Sequence, residues 1–181
     1  MGWGFFKKVV VADGLAPSVD AIFREGAHAS GGDVWLGSIC FAFQIYCDFS
    51  GYTDIARGSS KMLGIDLIEN FRSPYFSKDP QEFWRRWHIS LSSWLRDYLY
   101  ISLGGNRGGR FATYRNLMWT MVLGGLWHGA AWNYVFWGAY QGLLLVGHRA
   151  LCEWHRASAA RWLLPIKIAG FFVLTCYGWM L

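Results

Sequence analysis

One histidine lies inside a long stretch that has no charged residue. The run Leu117 to Gly147 contains no Asp, Glu, Lys or Arg, and it holds His128 within the motif GGLWHGAAWN. A bilayer core is crossed by about 20 helical residues, so the run is long enough to enter a membrane. An ionisable side chain at membrane depth is costly unless a partner or a wet cavity receives it. His128 is therefore a candidate general base, and the alternative is an interhelical hydrogen bond.

A second histidine, His88, lies in the motif RWHIS one helical turn after Trp84. Forty residues separate it from His128, and no spacing rule brings the two together. A zinc site would need a third ligand and tighter spacing such as HExxH, which the sequence lacks, so no metal is predicted. The other three histidines are expected to be solvated or interfacial side chains: His28, His148 and His155.

Two carboxylates follow the first apolar block, in the stretch QIYCDFSGYTDIARG. Asp48 and Asp54 are not spaced to share one helix face, so they need not act as a pair. They either cap the helix end and pair with loop arginines, which is favoured, or form a polar wall beside a substrate cavity.

The composition is that of an integral membrane protein. Of 181 residues, 54% are hydrophobic, 19% are aromatic and only 16% are charged, against about 25% charged in soluble domains. The net charge of +5 could indicate a nucleic-acid partner. Because the basic residues lie in loops beside apolar runs, membrane topology and anionic lipid explain this charge better, and no nucleic-acid partner is expected.

Three apolar blocks are predicted within a single all-α, polytopic membrane domain, at about 34–50, 117–147 and 162–181. The first could cross a membrane if residues 51–55 continue its helix. The middle block is either one long tilted span or two helices broken near Gly124, Gly125 and Gly129. Gly125 with Gly129, and Gly138 with Gly142, have the GxxxG spacing that lets helix backbones approach closely.

An amphipathic, interfacial or re-entrant helix is predicted over about 80–103. Asp79 can cap it, Pro80 suits its first turn, and Glu82 completes the pattern of a capping box. Aromatic and leucine side chains then recur at helical spacing, and the helix is expected to end at Gly104 and Gly105. The polar stretch 52–116 has ten Lys or Arg against six Asp or Glu, which places it on the cytoplasmic side.

Four stretches together resemble the membrane-bound O-acyltransferase family, and within it the bacterial branch that O-acetylates alginate. They are FFKKVVVADGLAPSVDAIF, QIYCDFSGYTDIARG, ENFRSPYFSKDPQEFWRRWHISLSSWLRDYLYISLGGNR and GGLWHGAAWNYVFWGAYQG. They cover most of the chain from residue 4 to about 150, in the family's order. The resemblance implies that this is the later, histidine-bearing part of a longer protein in the bacterial inner membrane, crossed several times.

The same resemblance implies the roles of the site residues. His128 matches the family's essential histidine, and His88 matches a second conserved polar position. An acyl thioester, either acetyl-CoA or an acyl carrier, would donate acetyl to an exported polysaccharide, with no bound cofactor and with acetylation proteins outside the membrane as partners. The expected channel and substrate contacts are Trp84, Trp87, Trp127, Arg85 and Arg86, with ordinary membrane anchoring as the alternative for the arginines.

Two rival functions remain at this point. The first is transfer of D-alanyl or another acyl group to a different envelope polymer, because that branch is similar around both histidines. The second is a transporter or channel segment in which a buried histidine relays protons without acyl chemistry.

Overall fold

A computed structural model describes residues 1–25, 29–154 and 163–180 of the protein, and within these ranges it contains helices and turns but no strand. The predicted all-α class is therefore confirmed. The residues form two compact units, Met1–Asn70 and Phe71–Trp179. Over the described ranges, none of the helices combines the length and the apolarity needed to cross a membrane.

The first unit is built along one long helix. A short helix α1 (Gly2–Phe5), a segment of wider turns (Phe6–Ala12) and α2 (Asp13–Glu25) follow each other without a break, and all three pack on α3 (Gly31–Met62). Gly4 and Gly51 allow the close approach, because a Cβ added to Gly4 would lie 2.7 Å from the carbonyl oxygen of Gly51. Two backbones can meet at this distance only where side chains are absent.

Helix α3 extends well beyond the apolar block predicted at about 34–50. It begins with a capping box, in which the Ser30 hydroxyl accepts from the Asp33 amide at 3.2 Å and the Asp33 carboxylate accepts from the Ser30 amide at 3.1 Å. It runs on through residues 51–55 to Met62. The beginning of the polar stretch 52–116 is thus helical.

The second unit begins with a short turn (Pro74–Phe76) and α4 (Pro80–Arg86). The predicted cap is confirmed, since the Asp79 carboxylate accepts from the Glu82 amide at 2.8 Å and Pro80 occupies the first turn. The capping box is incomplete. The Glu82 carboxylate accepts from the Lys78 amide at 3.1 Å and so completes the turn one residue earlier than expected.

The single helix predicted over about 80–103 is wrong, because the chain breaks at Trp87 and His88. Trp87 is extended, with φ −101° and ψ 126°, and His88 is left-handed, with φ 41° and ψ 58°. After the break come α5 (Ile89–Trp94), a segment of wider turns (Leu95–Tyr100) and non-helical turns through residue 108. The predicted glycine end is confirmed, since Gly104 and Gly105 both have positive φ.

Two long helices form the core of this unit. The middle apolar block is a pair of helices, α6 (Gly109–His128) and α7 (Trp132–Trp154), joined at 129–131, so the two-helix alternative is confirmed and the break falls after Gly124 and Gly125. A side chain at Gly125 would collide with the Tyr134 backbone, and one at Gly138 with the Met121 backbone. These glycines therefore set the close antiparallel contact that their spacing predicted.

The last helix, α8 (Leu164–Gly178), contacts α7 and lies within the third apolar block. The Tyr140 hydroxyl donates to the Leu174 carbonyl at 2.8 Å. Gly178 lies directly against the Tyr140 ring, with 2.8 Å between that ring and a Cβ built on the glycine. The ends of the block, residues 162 and 181, lie outside the described residues.

Candidate active site

His88 is placed by the break between α4 and α5. Its left-handed backbone is uncommon for a residue other than glycine, although histidine tolerates it better than most. The ring is half-buried and stacks on Phe71, with 6.4 Å between ring centroids and 18° between planes. Its carbonyl accepts from the Ser92 amide at 2.9 Å and so starts α5. The conformation that interrupts the helix also directs the imidazole to the aromatic interior.

His128 is the last residue of α6, at the turn into α7. Three aromatic rings contact it: Trp127 at 5.0 Å, Trp137 at 5.3 Å and Tyr134 at 6.4 Å between centroids. Its side chain is exposed, which corrects the expectation that it lies deep inside an apolar segment. The helix end explains the difference, because the break after residue 128 opens one side of the ring.

A cluster of indole rings connects the surroundings of the two histidines. Phe71 contacts both His88 and Trp87, and Trp87 contacts Trp179 at 5.1 Å. Trp179 in turn stacks on Trp137 at 5.9 Å, and Trp137 contacts His128. The two motifs that are forty residues apart in sequence therefore lie around one aromatic cluster, which the sequence alone could not establish.

The two imidazoles also interact electrostatically. Burial, and to a smaller extent the nearby His128, which disfavours a second positive charge, together lower the pKa of His88 to about 4. His88 is thus a neutral ring at physiological pH, able to donate one hydrogen bond and accept another. A proton taken up by His128 would not readily be shared with His88.

The three tryptophans named from the sequence differ in placement. Trp87 is 5% exposed and lies within the cluster, Trp84 is half-buried against Trp137 at 6.0 Å, and Trp127 is exposed beside His128. The indole N–H groups of Trp84, Trp137 and Trp179 are buried and have no hydrogen-bond partner among the described residues. Buried donors without partners are uncommon in proteins, and an ordered water, an ion or a catalytic role usually explains them.

The two arginines named from the sequence have different surroundings. Arg85 is exposed and lines a groove of about 480 Å³ in the second unit. Arg86 is held within the protein, because it pairs with Glu82 at 2.6 Å and lies 3.5 Å from the carbonyl oxygens of Arg72 and Ser73. Arg86 therefore has a structural role in the turn before α4, and only Arg85 faces a space that a ligand could enter.

Asp48 and Asp54 belong to the first unit and pair with lysines. Lys7 lies 2.8 Å from Asp54, and Lys8 lies 2.7 Å from both Asp48 and Asp13. The hydrogen bonds that Lys8 donates to the carboxylates of Asp13 and then Asp48 hold the pKa of Lys8 above its usual range. The interpretation favoured from the sequence is wrong in both parts. The two carboxylates lie within α3 and not at its end, and they pair with lysines of the N-terminal helical run and not with loop arginines.

The remaining three histidines lie away from the aromatic cluster or outside the described residues. His28 and His155 lie outside the described residues, and His148 contacts Cys152, with 3.4 Å between its Nε2 and the sulfur. Within the described ranges, no three His, Cys, Asp or Glu side chains are grouped closely enough to hold a metal ion.

The sequence of the chain is similar to those of known membrane proteins. The model of the membrane-bound O-acyltransferase family matches residues 4–181. The chain belongs to this family. It is 52% identical over 179 residues to a protein of Azotobacter vinelandii named "Probable alginate O-acetylase AlgI", covering 98% of the chain and 35% of that protein.

Two more distant members act on other polymers according to their names. The chain is 48% identical over 147 residues to the peptidoglycan O-acetyltransferase of Helicobacter pylori, covering 81% of the chain and 28% of that protein. It is 31% identical over 157 residues to the teichoic acid D-alanyltransferase of Bacillus subtilis, covering 76% of the chain and 38% of that protein. The chain thus spans about a third of the length of the curated relatives that it matches.

Three residues of the site were missed by the sequence reasoning: Phe71, Trp137 and Trp179. In a membrane-bound O-acyltransferase rich in aromatic residues, a tryptophan nine positions after His128 or at the end of the last apolar block gives no signal of its own. Their roles depend on which rings meet in three dimensions.

Stability should rise with pH because of His88. Its pKa is about 4 in the folded protein and 6.5 in the unfolded chain. Between these values the unfolded state binds more protons, so the free energy of unfolding increases with pH, by well under the limit of about 1.4 kcal/mol per pH unit because the half-exposed ring is screened by solvent. The denaturant midpoint of the protein in micelles should therefore be higher at pH 7 than at pH 5.

The variant His88→Asn provides the control for this pH effect. Asparagine tolerates a positive φ and does not titrate, so the backbone is retained while the proton-linked contribution is removed. The difference between the midpoints at pH 5 and pH 7 should shrink in the variant. An unchanged difference would show that His88 does not contribute to it.

Proposed function

We propose that this chain is the histidine-bearing part of a multi-pass bacterial inner-membrane enzyme that transfers acetyl groups from a cytoplasmic thioester to hydroxyl groups of an exported polysaccharide such as alginate. The observation that carries the proposal is the placement of His128 and His88 around one aromatic cluster, with a neutral His88. Identities of about one half to proteins named as alginate O-acetylases support the acetyl group and the polymer.

The proposed reaction needs one base and no covalent intermediate. The acceptor hydroxyl oxygen attacks the thioester carbonyl carbon while its proton moves to His128. The carbon–sulfur bond then breaks, and the leaving thiolate takes the proton from His128, which yields the ester and the free thiol. Because a thioester is already activated, positioning and general base catalysis are the main requirements.

The surroundings of His128 suit this role. The ring is exposed on one side, where a hydroxyl could reach it, and it is held on the other by Trp127, Tyr134 and Trp137. His88 is neutral, so in this mechanism it orients the acceptor or donates its N–H to the thioester carbonyl and does not act as a cation. The indole N–H of Trp137 is a second candidate donor for the negative charge that develops on that oxygen.

The remaining site residues have smaller parts in the proposal. Trp84, Trp87 and Trp127 shape the path of the substrates, and Arg85 meets an anionic thioester such as acetyl-CoA or an acyl carrier. No resident cofactor is required. Membrane lipid surrounds the protein, and acetylation proteins outside the membrane complete the modification of the polymer.

A different envelope polymer is the second candidate acceptor. The identity of 48% to a peptidoglycan O-acetyltransferase favours acetyl as the group transferred. It also makes peptidoglycan a candidate acceptor in place of alginate. The identity of 31% to a teichoic acid D-alanyltransferase is lower, which makes D-alanyl transfer the weaker alternative.

Labelled acetyl transfer in membranes tests the proposal. Membranes that contain the protein, supplied with radiolabelled acetyl thioester and separately with alginate, peptidoglycan or teichoic acid, should transfer label to alginate as a base-labile ester. Label on peptidoglycan or teichoic acid would show that this polymer, and not alginate, is the acceptor. The proposed acetyl transfer would still hold. Movement of a substrate without consumption of thioester would instead indicate the transporter alternative.

A further inference from the structure

Tyr134 lies in the first turn of α7, just after the turn that follows His128. Its ring packs directly on Gly129, because a Cβ built on that glycine would collide with the ring, and its backbone packs on Gly125 in the same way. The ring also stacks on the His128 imidazole, with 6.4 Å between centroids and 27° between planes. Contacts with two glycines and an imidazole therefore fix the phenol ring beside the candidate base.

The hydroxyl of Tyr134 is not used by the fold. Among the residues that the structure describes, this hydroxyl has no hydrogen-bond partner, and the residue is 37% exposed. By contrast, the hydroxyl of Tyr140 in the same helix donates to the Leu174 carbonyl at 2.8 Å. A ring that is already held in place can hydrogen-bond a ligand at little cost in conformational entropy.

The surface around Tyr134 is aromatic. Trp127 contacts His128, with 5.0 Å between ring centroids, and is itself 58% exposed. Trp132, two residues before Tyr134, is 74% exposed, and the side chain of Asn133 between them is exposed as well. Exposed ring faces and neutral hydrogen-bonding groups therefore occur together at the turn that carries the candidate base.

The chemistry of this surface favours a sugar as its ligand. The run 117–147, to which all of these residues belong, has no Lys or Arg that could bind the phosphates of a donor such as acetyl-CoA. A pyranose ring has faces made of C–H groups and a rim of hydroxyls. It can therefore pack on indole rings while its hydroxyls bond to a phenol and an amide.

We propose that Tyr134 binds the sugar ring that accepts the acyl group, through a hydrogen bond between its hydroxyl and a sugar hydroxyl next to the one that His128 deprotonates. Trp127 and Trp132 pack on the faces of the bound sugar rings. This proposal rests on the proposed function, in which the acceptor is a polysaccharide hydroxyl. Because ring faces and hydroxyls are recognised and the carboxylates of alginate are not, binding should depend little on salt.

Binding of an alginate oligosaccharide to the purified protein in neutral micelles, measured by calorimetry without a thioester, tests the proposal. The variant Tyr134→Phe loses one hydrogen bond to the sugar and should bind it about three- to tenfold more weakly. Its thermal midpoint should equal that of the wild type. The matched control Tyr140→Phe should show the opposite: it loses the hydrogen bond to Leu174, so its thermal midpoint falls while its affinity for the oligosaccharide is unchanged.

Three results would overturn the proposal. They are equal binding, or equal lack of binding, by the wild type and Tyr134→Phe, displacement of the oligosaccharide by acetyl-CoA, and loss of binding in about 1 M salt, where the Debye length is about 3 Å. The last would assign the binding to the net positive charge of the protein.

The acetyl-transfer assay separates this proposal from the proposed function. Transfer by Tyr134→Phe with an unchanged KM for the polymer would reject the role of Tyr134 and leave the proposed function intact. Binding of the oligosaccharide that depends on Tyr134, in a protein that transfers no acetyl, would reject the proposed function and retain the sugar site. The expected result is a raised KM for the polymer and an unchanged KM for the thioester.

Discussion

Replacing His128 by alanine should lower acetyl transfer to the polymer by at least about a hundredfold, the usual contribution of a positioned general base. In the proposed mechanism the substitution removes the group that receives the hydroxyl proton and leaves the binding of the thioester and the acceptor, and the aromatic cluster, in place. Because the side chain is exposed at a helix end, the amount of protein in the membrane should not change. The measurement is labelled acetate released by base from the polymer, normalised to the amount of protein.

The second histidine of the α6–α7 pair supplies the matched control. His148 lies in α7 and contacts Cys152, and it does not contact the aromatic cluster around His128. The variant His148→Gln should therefore retain acetyl transfer. If the His128→Ala variant acetylated the polymer at the wild-type rate, His128 would not be the base, and the transporter alternative would gain support.

Features that depend on local chemistry could be predicted from the sequence. The cap at Asp79, the end at Gly104 and Gly105, and the close helix contact at Gly125 and Gly138 each follow from the steric or hydrogen-bonding properties of a few neighbouring residues. These properties act over one or two turns, so a short sequence window contains the information.

Features that depend on long-range packing could not be predicted in this way. The helical periodicity from residue 80 onward continues through His88, yet the chain breaks there because Trp87 is buried against Phe71, Phe83 and Trp179. The partners of Asp48 and Asp54 are equally remote in sequence, at Lys8 and Lys7. No local rule distinguishes a lysine forty residues away from a nearby arginine, and the arginine hypothesis failed for that reason.

The ion pair between Lys7 and Asp54 should have the largest effect on stability. Lys7 is 8% exposed in its side chain, lies 2.8 Å from Asp54, and donates to the Ser50 hydroxyl at 2.9 Å. The variant Lys7→Met leaves the carboxylate without its partner, and because Asp54 is 30% exposed and can be hydrated the cost should reach at most the lower end of the range for buried pairs, about 3 kcal/mol. The loss should appear as a lower urea midpoint of helix unfolding in micelles.

Two further variants separate packing from charge. Lys8→Met removes two exposed ion pairs, to Asp48 and Asp13, and should lower the urea midpoint much less than Lys7→Met does. The double variant Lys7→Met/Asp54→Leu should recover most of the lost stability, since an apolar pair can replace a buried ion pair of similar volume. A Lys7→Met variant as stable as wild type would show that the pair does not hold the N-terminal run against α3.

The same double variant decides between the two hypotheses for Asp54. If its carboxylate only anchors Lys7, the Lys7→Met/Asp54→Leu protein should regain acetyl transfer together with its stability. If Asp54 instead forms the wall of a substrate cavity, stability should return while acetyl transfer remains low. Measuring the urea midpoint and the transfer of labelled acetyl on one preparation distinguishes these outcomes. A structural role affects stability and acetyl transfer together, whereas a substrate-binding role affects only acetyl transfer.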